Sequence, residues 1–511
     1  MTSTKSTGAL SAKDDKSWSD LNWNKIKSSV LRLQMRIAKA EREGKKGKVK
    51  ALQRLLTTSF HGKCLAIKRV TSSTGGKTPG VDNVLWSSDL QKMRAVNTLK
   101  RRGYKPQLLR RIYIPKKSGN GRRPLSIPTL KCRAMQALHL LALEPIVEER
   151  ADRNSYGFRM KRSTHDAIEQ CFNALGRSKS ATFVLEGDIR DCFGQISHNW
   201  LIENIPMDKQ ILRKFLKAGY MENGRINPTT RGTPQGSVIS PALTVLTLSG
   251  LEANLRPVSK NIRDMKKINV ISYADDFIVT AASVKLLENE VKPKLVEFLK
   301  TVGLELSAEK TKITSIEKGF DFLGFTVRKY KNGKILIKPS KTNIKRFLKE
   351  LKDLIRRGTA LPTDKLIYAL NERITGWTNY YRSVVSSRIF SQTDHKLFLS
   401  LKQWALKRHS RKGIKWIIKH YWKRHKGDNW RFYCLIKDKD GNVKSLFLKR
   451  AIDTKIRRHI KIVASANPFD PMYKEYFQNR ERMKKYCKLS NITDLSGLKT
   501  IQPYEGLSCV P

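Results

Sequence analysis

The sequence predicts an α+β core set between basic helical segments, and three observations carry that reading. Between about residues 105 and 330, short apolar runs of strand length alternate with helical stretches and are separated by Gly and Pro. Before about Val70, and again beyond about 340, apolar residues recur at helical spacing. The chain also carries 102 Lys plus Arg against 44 Asp plus Glu, a net charge of +58, spread along its whole length.

Taken in order, residues 1–18 are rich in Ser, Thr, Lys and Asp and read as a mobile leader. Ile26, Val30, Leu31, Leu33 and Ile37, then Val49, Leu52, Leu55 and Leu56, mark two basic helices interrupted at "AEREGKKGKVKAL". "TSSTGGKTPGVD" (71–82) is a Gly/Pro loop. "RRIYIPKKSGNGRRPLSIP" (110–128) reads as strand, glycine turn, strand, and "KCRAMQALHLLALEPIVEER" (131–150) as a helix. "ATFVLEGDIRDCF" (181–193) is a strand running into a turn, "SPALTVLTLSGLEANL" (240–255) a helix, and "FDFLGFTVRKY" with "KILIKPS" a closing hairpin. Three very basic helical stretches follow, the last being "HKLFLSLKQWALKRHSRKGIKWIIKHYWKRH" (395–425). From about 428 a smaller basic module holds a "YCLIKDKDGNVKSLFL" hairpin and "DTKIRRHIKIVASANPFDP".

Composition narrows the partners. Hydrophobic content of 39% with 29% charged residues describes a folded chain, so the excess positive charge calls for a polyanion to offset its self-repulsion. An anionic membrane is excluded as that partner because no apolar stretch approaches the roughly 20 residues a span requires, and the basic residues do not gather beside one anchor. Nucleic acid is the expected partner and the cytoplasm the expected compartment, since "MTSTKSTGALSAKDDKSW" has no apolar core for secretion. Cys64, Cys132, Cys171, Cys192, Cys434, Cys487 and Cys509 are scattered and never form a Cys-x-x-Cys pair. Reduced thiols are expected, with no disulfide partner and no cysteine-built zinc site.

Against this background two adjacent acids stand out in "ISYADDFIVT" (271–280). Val270, Ile271 and Tyr273 precede Asp275 and Asp276, and Phe277, Ile278 and Val279 follow, so the acids fall on a tight hairpin. Asp favours turns in any case, but "LEGDIRDCF" (185–193) supplies a third acid, Asp188, after the apolar strand Phe183, Val184, Leu185. A strand-end carboxylate facing an Asp-Asp hairpin suits two divalent ions ~3.5–4 Å apart. Mg²⁺ prefers a few carboxylates plus substrate phosphates.

Tyr273-Ala274-Asp275-Asp276 resembles the catalytic hairpin of reverse transcriptases, and Asp188 matches the aspartate of their first palm strand. "RGTPQGSVISP" (231–241), "GLELSAEKTKI" (303–313) and "GFDFLGF" (319–325) are similar to their later palm elements, so the motifs cover about 105–330 in order. The resemblance implies a right-hand polymerase fold of fingers, palm and helical thumb. It implies Asp188, Asp275 and Asp276 as catalytic and metal-binding residues, with two Mg²⁺ ions (Mn²⁺ as an alternative) and dNTPs as substrates. Lys116 and Arg123 match the pair that grips the triphosphate, Phe193 the aromatic that excludes a 2′-hydroxyl, and Gln235 and Gly236 the centre of the nucleotide-supporting loop. In "NSYGFRMKRSTHDAI" (154–168), Arg159 and Arg162 are implied to lie against nucleic acid.

The flanks resemble group II intron-encoded reverse transcriptases of bacterial or organellar type: residues 32–86 their N-terminal extension, 373–384 and 397–422 their thumb or maturase domain, and 428–490 their DNA-binding region. Trp377, Tyr380, Tyr381 and Trp404 read as bundle core, whereas Lys407, Arg408, Arg411 and Lys412 read as RNA contacts, with Arg457, Arg458 and Lys461 as further phosphate contacts. The expected division is a leader at 1–20, a helical extension at 21–75, fingers and palm at 76–335, thumb or maturase domain at 340–425, DNA-binding module at 428–490, and a tail or endonuclease remnant at 491–511. A Cys/His-built endonuclease is expected to be missing, since beyond 434 the cysteines are Cys487 and Cys509. The implied partners are the intron RNA, in a ribonucleoprotein, and target DNA, which in a bacterium places the protein at the nucleoid. Two alternatives stand beside this: a domesticated RNA-binding splicing cofactor, and a free-standing reverse transcriptase of repair or defence.

Overall fold

The computed structural model describes residues 17–116, 121–257, 259–437 and 440–489. Most of the expected leader, the glycine turn at 117–120, the tail at 491–511 and the side chains of Cys487 and Cys509 therefore lie outside the described residues. The last leader residues do not belong to a loose segment, because Trp18 is buried in a short turn and meets Trp23 edge-on at 4.9 Å.

The centre of the molecule is the helix Leu130–Arg150, which is apolar on nearly all sides and buried accordingly. Three N-terminal helices, Trp23–Arg42, Lys46–Thr58 and Phe60–Thr71, pack around it, where two were expected. Ser59 makes the extra break: its N–H closes the preceding helix on the Leu55 and Leu56 carbonyls, while its hydroxyl caps the next by accepting from the Gly62 N–H. Gln34 and Gln53 are buried and satisfy themselves on the Leu141 and Pro206 carbonyls.

Strands β1 (Leu109–Pro115) and β2 (Arg122–Ile127) form the antiparallel hairpin that the Gly-centred pattern predicted. After β3 (Phe183–Gly187), the short strands β4 (Tyr220–Glu222) and β5 (Arg225–Asn227) extend that hairpin into a sheet of order β2-β1-β4-β5. The second sheet is the palm. It contains β6 (Asn269–Tyr273), β7 (Asp276–Ala281) and β8 (Lys312–Ser315) in the order β6-β7-β3-β8, with every neighbour antiparallel. Strands β9 (Phe320–Phe322), β10 (Phe325–Lys329) and β11 (Ile335–Pro339) close off this region as a three-stranded sheet.

Beyond it the helices Lys341–Arg357, Thr363–Tyr381 and Ser387–Arg408 bundle around stacked aromatics, Phe347 lying parallel to Trp377 at 4.4 Å. Trp404 is buried and donates to the Gly358 carbonyl within the bundle, while the Tyr380 and Tyr381 hydroxyls donate to Leu323 and Gly324 and so join the bundle to the β9–β10 turn. The helical pattern expected through 425 stops earlier: the helix Ile414–Tyr421 ends where β12 (Trp422–His425) begins, pairing with β13 (Asp428–Lys437) and β14 (Val443–Phe447). Alternation of Trp422 inside with Lys423 outside favours strand there once β13 is available to pair.

The segment after β14 runs back across the helix Thr164–Leu175, where one buried carboxylate gathers several of its contacts. Asp166, fully buried, accepts from the Ser163 N–H and hydroxyl at 2.9 and 2.8 Å, and from the Ile462 N–H and the Arg480 guanidinium at 2.8 Å each. His459 Nε2 lies a further 2.8 Å from it. Burial alone would raise this carboxyl, but His459, Arg480 and the Ile462 N–H outweigh it and hold Asp166 at about 2. Its charge therefore stabilises the fold above the ordinary carboxyl value of 3.8 and stops doing so as pH falls towards about 2. Removing one partner of such a buried ionic cluster costs about 3–5 kcal/mol. Asp166→Ala is thus expected to lower the unfolding free energy by that order at pH 7 and by less near pH 3, as chemical denaturation at the two pH values would record.

Candidate active site

Asp188 follows directly on β3, whose register sets Gly187 opposite Phe277 of β7. A Cβ on Gly187 would fall 2.2 Å from the Phe277 ring, so only glycine lets β3 and β7 close up at the strand end. Across the sheet, Tyr273 pairs with Asp276 and leaves Ala274 and Asp275 as a two-residue turn, with Ala274 in the left-handed region at φ +60°. This turn is braced from behind. The Ser272 N–H donates to the Asn154 carbonyl at 3.0 Å and the Tyr156 N–H to the Ser272 carbonyl at 2.9 Å, adding residues 154–156 beside β6. Gly157 continues this contact, and a Cβ on it would lie 2.1 Å from the Ala274 nitrogen.

The three acids interact. Burial, then the Asp188 charge, raises Asp275 above the usual carboxylate range against the pull of Arg123 and Lys310. Asp276 lies at the exposed rim of the turn, yet the surrounding protein, Asp275 and Asp188 together push it up to about 6. Lys310 Nζ sits 2.8 Å from Asp188 Oδ2, and this hydrogen bond raises the ammonium in turn. Beneath them, burial and the charges of Asp275, Asp191 and Asp188 push the Cys192 thiol up.

On the side facing β2, backbone contacts tie the turn after Asp188 to the 231–236 loop. The Gly232 N–H donates to Ile196 at 2.8 Å, the Thr233 N–H to the Phe193 carbonyl at 2.6 Å, and His198 Nε2 lies 2.8 Å from the Gly232 carbonyl. The Ser126 N–H of β2 donates to the Gln235 carbonyl at 2.7 Å. Gly236 has φ +97° and leaves no room for a Cβ, which would stand 2.7 Å from Leu125. A cavity of about 460 Å³ opens between these parts, lined among others by Arg111, Pro124, Ser126, Phe193, Tyr220 and Gln235. Arg123 and Lys116 lie exposed at the end of the β1–β2 hairpin, where the Lys116 N–H donates to the Gly121 carbonyl.

Comparison with known proteins places this geometry. Residues 114–327 match the reverse transcriptase (RNA-dependent DNA polymerase) family, 18–99 the N-terminal domain of reverse transcriptase, and 344–422 the group II intron maturase-specific domain. Protein YkfC of Escherichia coli K12 is 33% identical over 324 residues, 53% of this chain and 82% of that protein. The chain belongs to the group II intron reverse transcriptase family. The group II intron-encoded protein LtrA of Lactococcus lactis is 27% identical over 409 residues, 62% of this chain and 68% of that protein. A solved structure of telomerase from Candida albicans aligns with a TM-score of 0.36 at 13% identity, over 61% of this chain and 64% of that one.

Within this group II intron reverse transcriptase, the structure brings Asp188, Asp275, Asp276, Arg123, Phe193, Gln235 and Gly236 to one cleft. Among the described residues no three acid, His or Cys side chains close into a cation cage, and Asp188 is engaged by Lys310 instead. The donor set still suits a hard divalent ion: the three candidate ligands all offer carboxylate oxygens, and two of them are raised by burial and then by neighbouring carboxylates, both of which a cation would offset.

Several of the residues expected at nucleic acid are engaged within the protein. Arg159 and Arg162 are almost wholly buried and both pair with Glu148 Oε2, at 2.9 and 2.7 Å. Arg159 also donates to the Asp152 and Ser155 carbonyls and Arg162 to that of Ala466, which uses guanidinium donors inside the protein. Lys461 donates to Gln170 at 2.7 Å and is half-buried, and desolvation lowers it. Arg408 lies over Trp404 and caps the Thr359 and Leu361 carbonyls. Lys407, Arg411, Lys412 and Arg458 are exposed, and Arg457 is half-buried. Sequence reasoning missed Lys310 and Glu148: a lysine among the many of a basic chain carries no mark of the acid it meets, and an acid in an apolar helix gives no local sign of the two arginines it serves.

The crowding of charge predicts a trade-off. Asp275→Asn and Asp276→Asn are each expected to raise the thermal unfolding midpoint of the metal-free protein while removing synthesis, which calorimetry beside a primer-extension assay would check.

Proposed function

We propose that this chain polymerises dNTPs on an RNA template at the Asp188, Asp275 and Asp276 cleft, and that its basic helices beyond 340 bind the intron RNA that encodes it. The observation that carries the reading is the meeting of the β3 end with the β6–β7 turn, which collects three carboxylates in a protein of net charge +58. Those carboxylates would hold Mg²⁺, or Mn²⁺, and bound divalent ions there supply acidity to a primer 3′-hydroxyl and stabilise a departing pyrophosphate. Arg123 and Lys116, exposed at the end of the β1–β2 hairpin, offer charge-assisted donors to the triphosphate. Phe193 fills the space that a ribose 2′-hydroxyl would need. The Gln235–Gly236 loop, joined to β2 and to Phe193 through its backbone, supports the nucleotide and template.

The second role is maturation of the intron. Exposed Lys407, Arg411 and Lys412 neutralise RNA phosphates, the protein holds the RNA in its splicing-competent fold, and the RNA performs the splicing chemistry. Arg458 remains as a phosphate contact for target DNA, and cDNA synthesis supports intron mobility. Three intact acids weigh against a cofactor that keeps the polymerase fold only as a scaffold, which has no use for clustered charge of this sign.

Primer extension with Mg²⁺ on an RNA template, beside Asp275→Asn, tests the first role. Wild type is expected to make long cDNA and the variant at least about 100-fold less, the order lost with one electrostatic contact to a transition state. Intron splicing by the same variant is expected to persist; a folded variant that loses both activities together contradicts the division of labour. Replacing Lys407, Arg411 and Lys412 together by Ala is expected to weaken intron-RNA binding and to reduce the slope of log K against log salt by about 2.

A further inference from the structure

One residue of "YGFR" has a conformation that its surroundings must impose. Phe158 has φ +57°, in the left-handed region where a bulky L-residue is strained. Burial does not compensate, because the side chain is 48% exposed. Both neighbours hold it there. Gly157 lies against the Ala274 nitrogen so closely that a Cβ would stand 2.1 Å from it. Arg159 on the other side is locked into the protein by Glu148 Oε2 at 2.9 Å and by the Asp152 and Ser155 carbonyls at 2.8 and 3.0 Å. The Met160 N–H adds a bond to Glu148 Oε1 at 3.1 Å.

Pinned on both sides, Phe158 presents its ring edge-on to Phe193, with centroids 6.2 Å apart and planes at 76°. Phe193 is held at its backbone, through Thr233, but its ring is half-buried on the wall of the 460 Å³ cavity. A side chain that must resist a 2′-hydroxyl needs support at the ring as well as at the main chain. We infer that Phe158 is a positioning residue for sugar selection: it buttresses the Phe193 ring so that the ring does not turn aside under a ribonucleotide. Through Gly157 the same buttress is registered to the Ala274–Asp275 turn, which ties the sugar wall to the acids. The inference rests on the reading of Phe193 given above.

The test is single-nucleotide insertion, measuring kcat/KM for a dNTP and the matching rNTP with wild type, Phe158→Ala, Phe158→Leu, Phe193→Val and the double variant Phe158→Ala/Phe193→Val. Phe158→Ala is expected to reduce the dNTP-to-rNTP ratio by about 10-fold, the scale of one apolar contact in a discriminating pocket, while Phe158→Leu, which keeps an apolar contact, retains most of it. In the Phe193→Val background Phe158→Ala is expected to change the ratio no further, because the two act as one unit. Equal loss of dNTP and rNTP insertion in both Phe158 variants, or additive effects in the double variant, overturns the buttress. An unchanged ratio in Phe193→Val with a changed one in Phe158→Ala also overturns it and makes Phe158 itself the selector. An unchanged ratio in both variants removes the buttress and the Phe193 reading together.

Discussion

Mutual repulsion among Asp188, Asp275 and Asp276 is the constraint on which the rest of the structure depends. Left to itself, a strand end and a hairpin turn carrying three carboxylates would spread apart, since like charges at close range in a concave site cost free energy. The fold opposes this with backbone devices. Gly187 lets β3 meet Phe277, Gly157 lets the 154–157 segment lie against Ala274, and Ala274 adopts a left-handed turn. Lys310 supplies one positive charge at 2.8 Å from Asp188, and Arg123 acts on Asp275 from the fingers. Burial, with the repulsion that remains, keeps Asp275 and Asp276 raised, a preference for a cation at the place where the proposed chemistry uses one.

Buried ions serve a different purpose away from the cleft. Glu148 and Asp166 are each almost inaccessible and each gathers arginine, so their desolvation is offset by several charge-assisted hydrogen bonds. Both tie the chain beyond β14 to the polymerase core: Arg162 of the Glu148 cluster donates to Ala466, and Asp166 receives Ile462, His459 and Arg480. The C-terminal segment is therefore packed against the element that braces the acidic turn, and not hung from a linker. Its Arg and Lys residues divide accordingly into those consumed by this contact and those, such as Arg458, left to solvent.

Much of this was legible in the residues. Alternating apolar runs around a Gly-rich stretch encode the β1–β2 hairpin, and strand-length runs on either side of an Asp-Asp pair encode the β6–β7 turn, because a period of two and turn chemistry are local properties. The order of the motifs, and with it the family, is also a property of the linear chain. Local reading failed where a partner decides the outcome: the break at Ser59, which a polar cap creates within a continuous helical pattern, and β12, whose residues suit a helix until β13 lies alongside.

By itself, then, the sequence determined which residue types were available and in what order: three acids on strand and turn, a basic surface, glycines at the close approaches. Only the tertiary structure decided what the arginines do. Arg159 and Arg162 look like any basic residues beside a nucleic-acid motif, but the acid that claims them, Glu148, sits on the helix Leu130–Arg150 that precedes their loop, and Lys461 is claimed by Gln170 across the chain. A charge on the surface keeps its sequence-level meaning, whereas a buried charge takes its meaning from the partner that makes burial affordable.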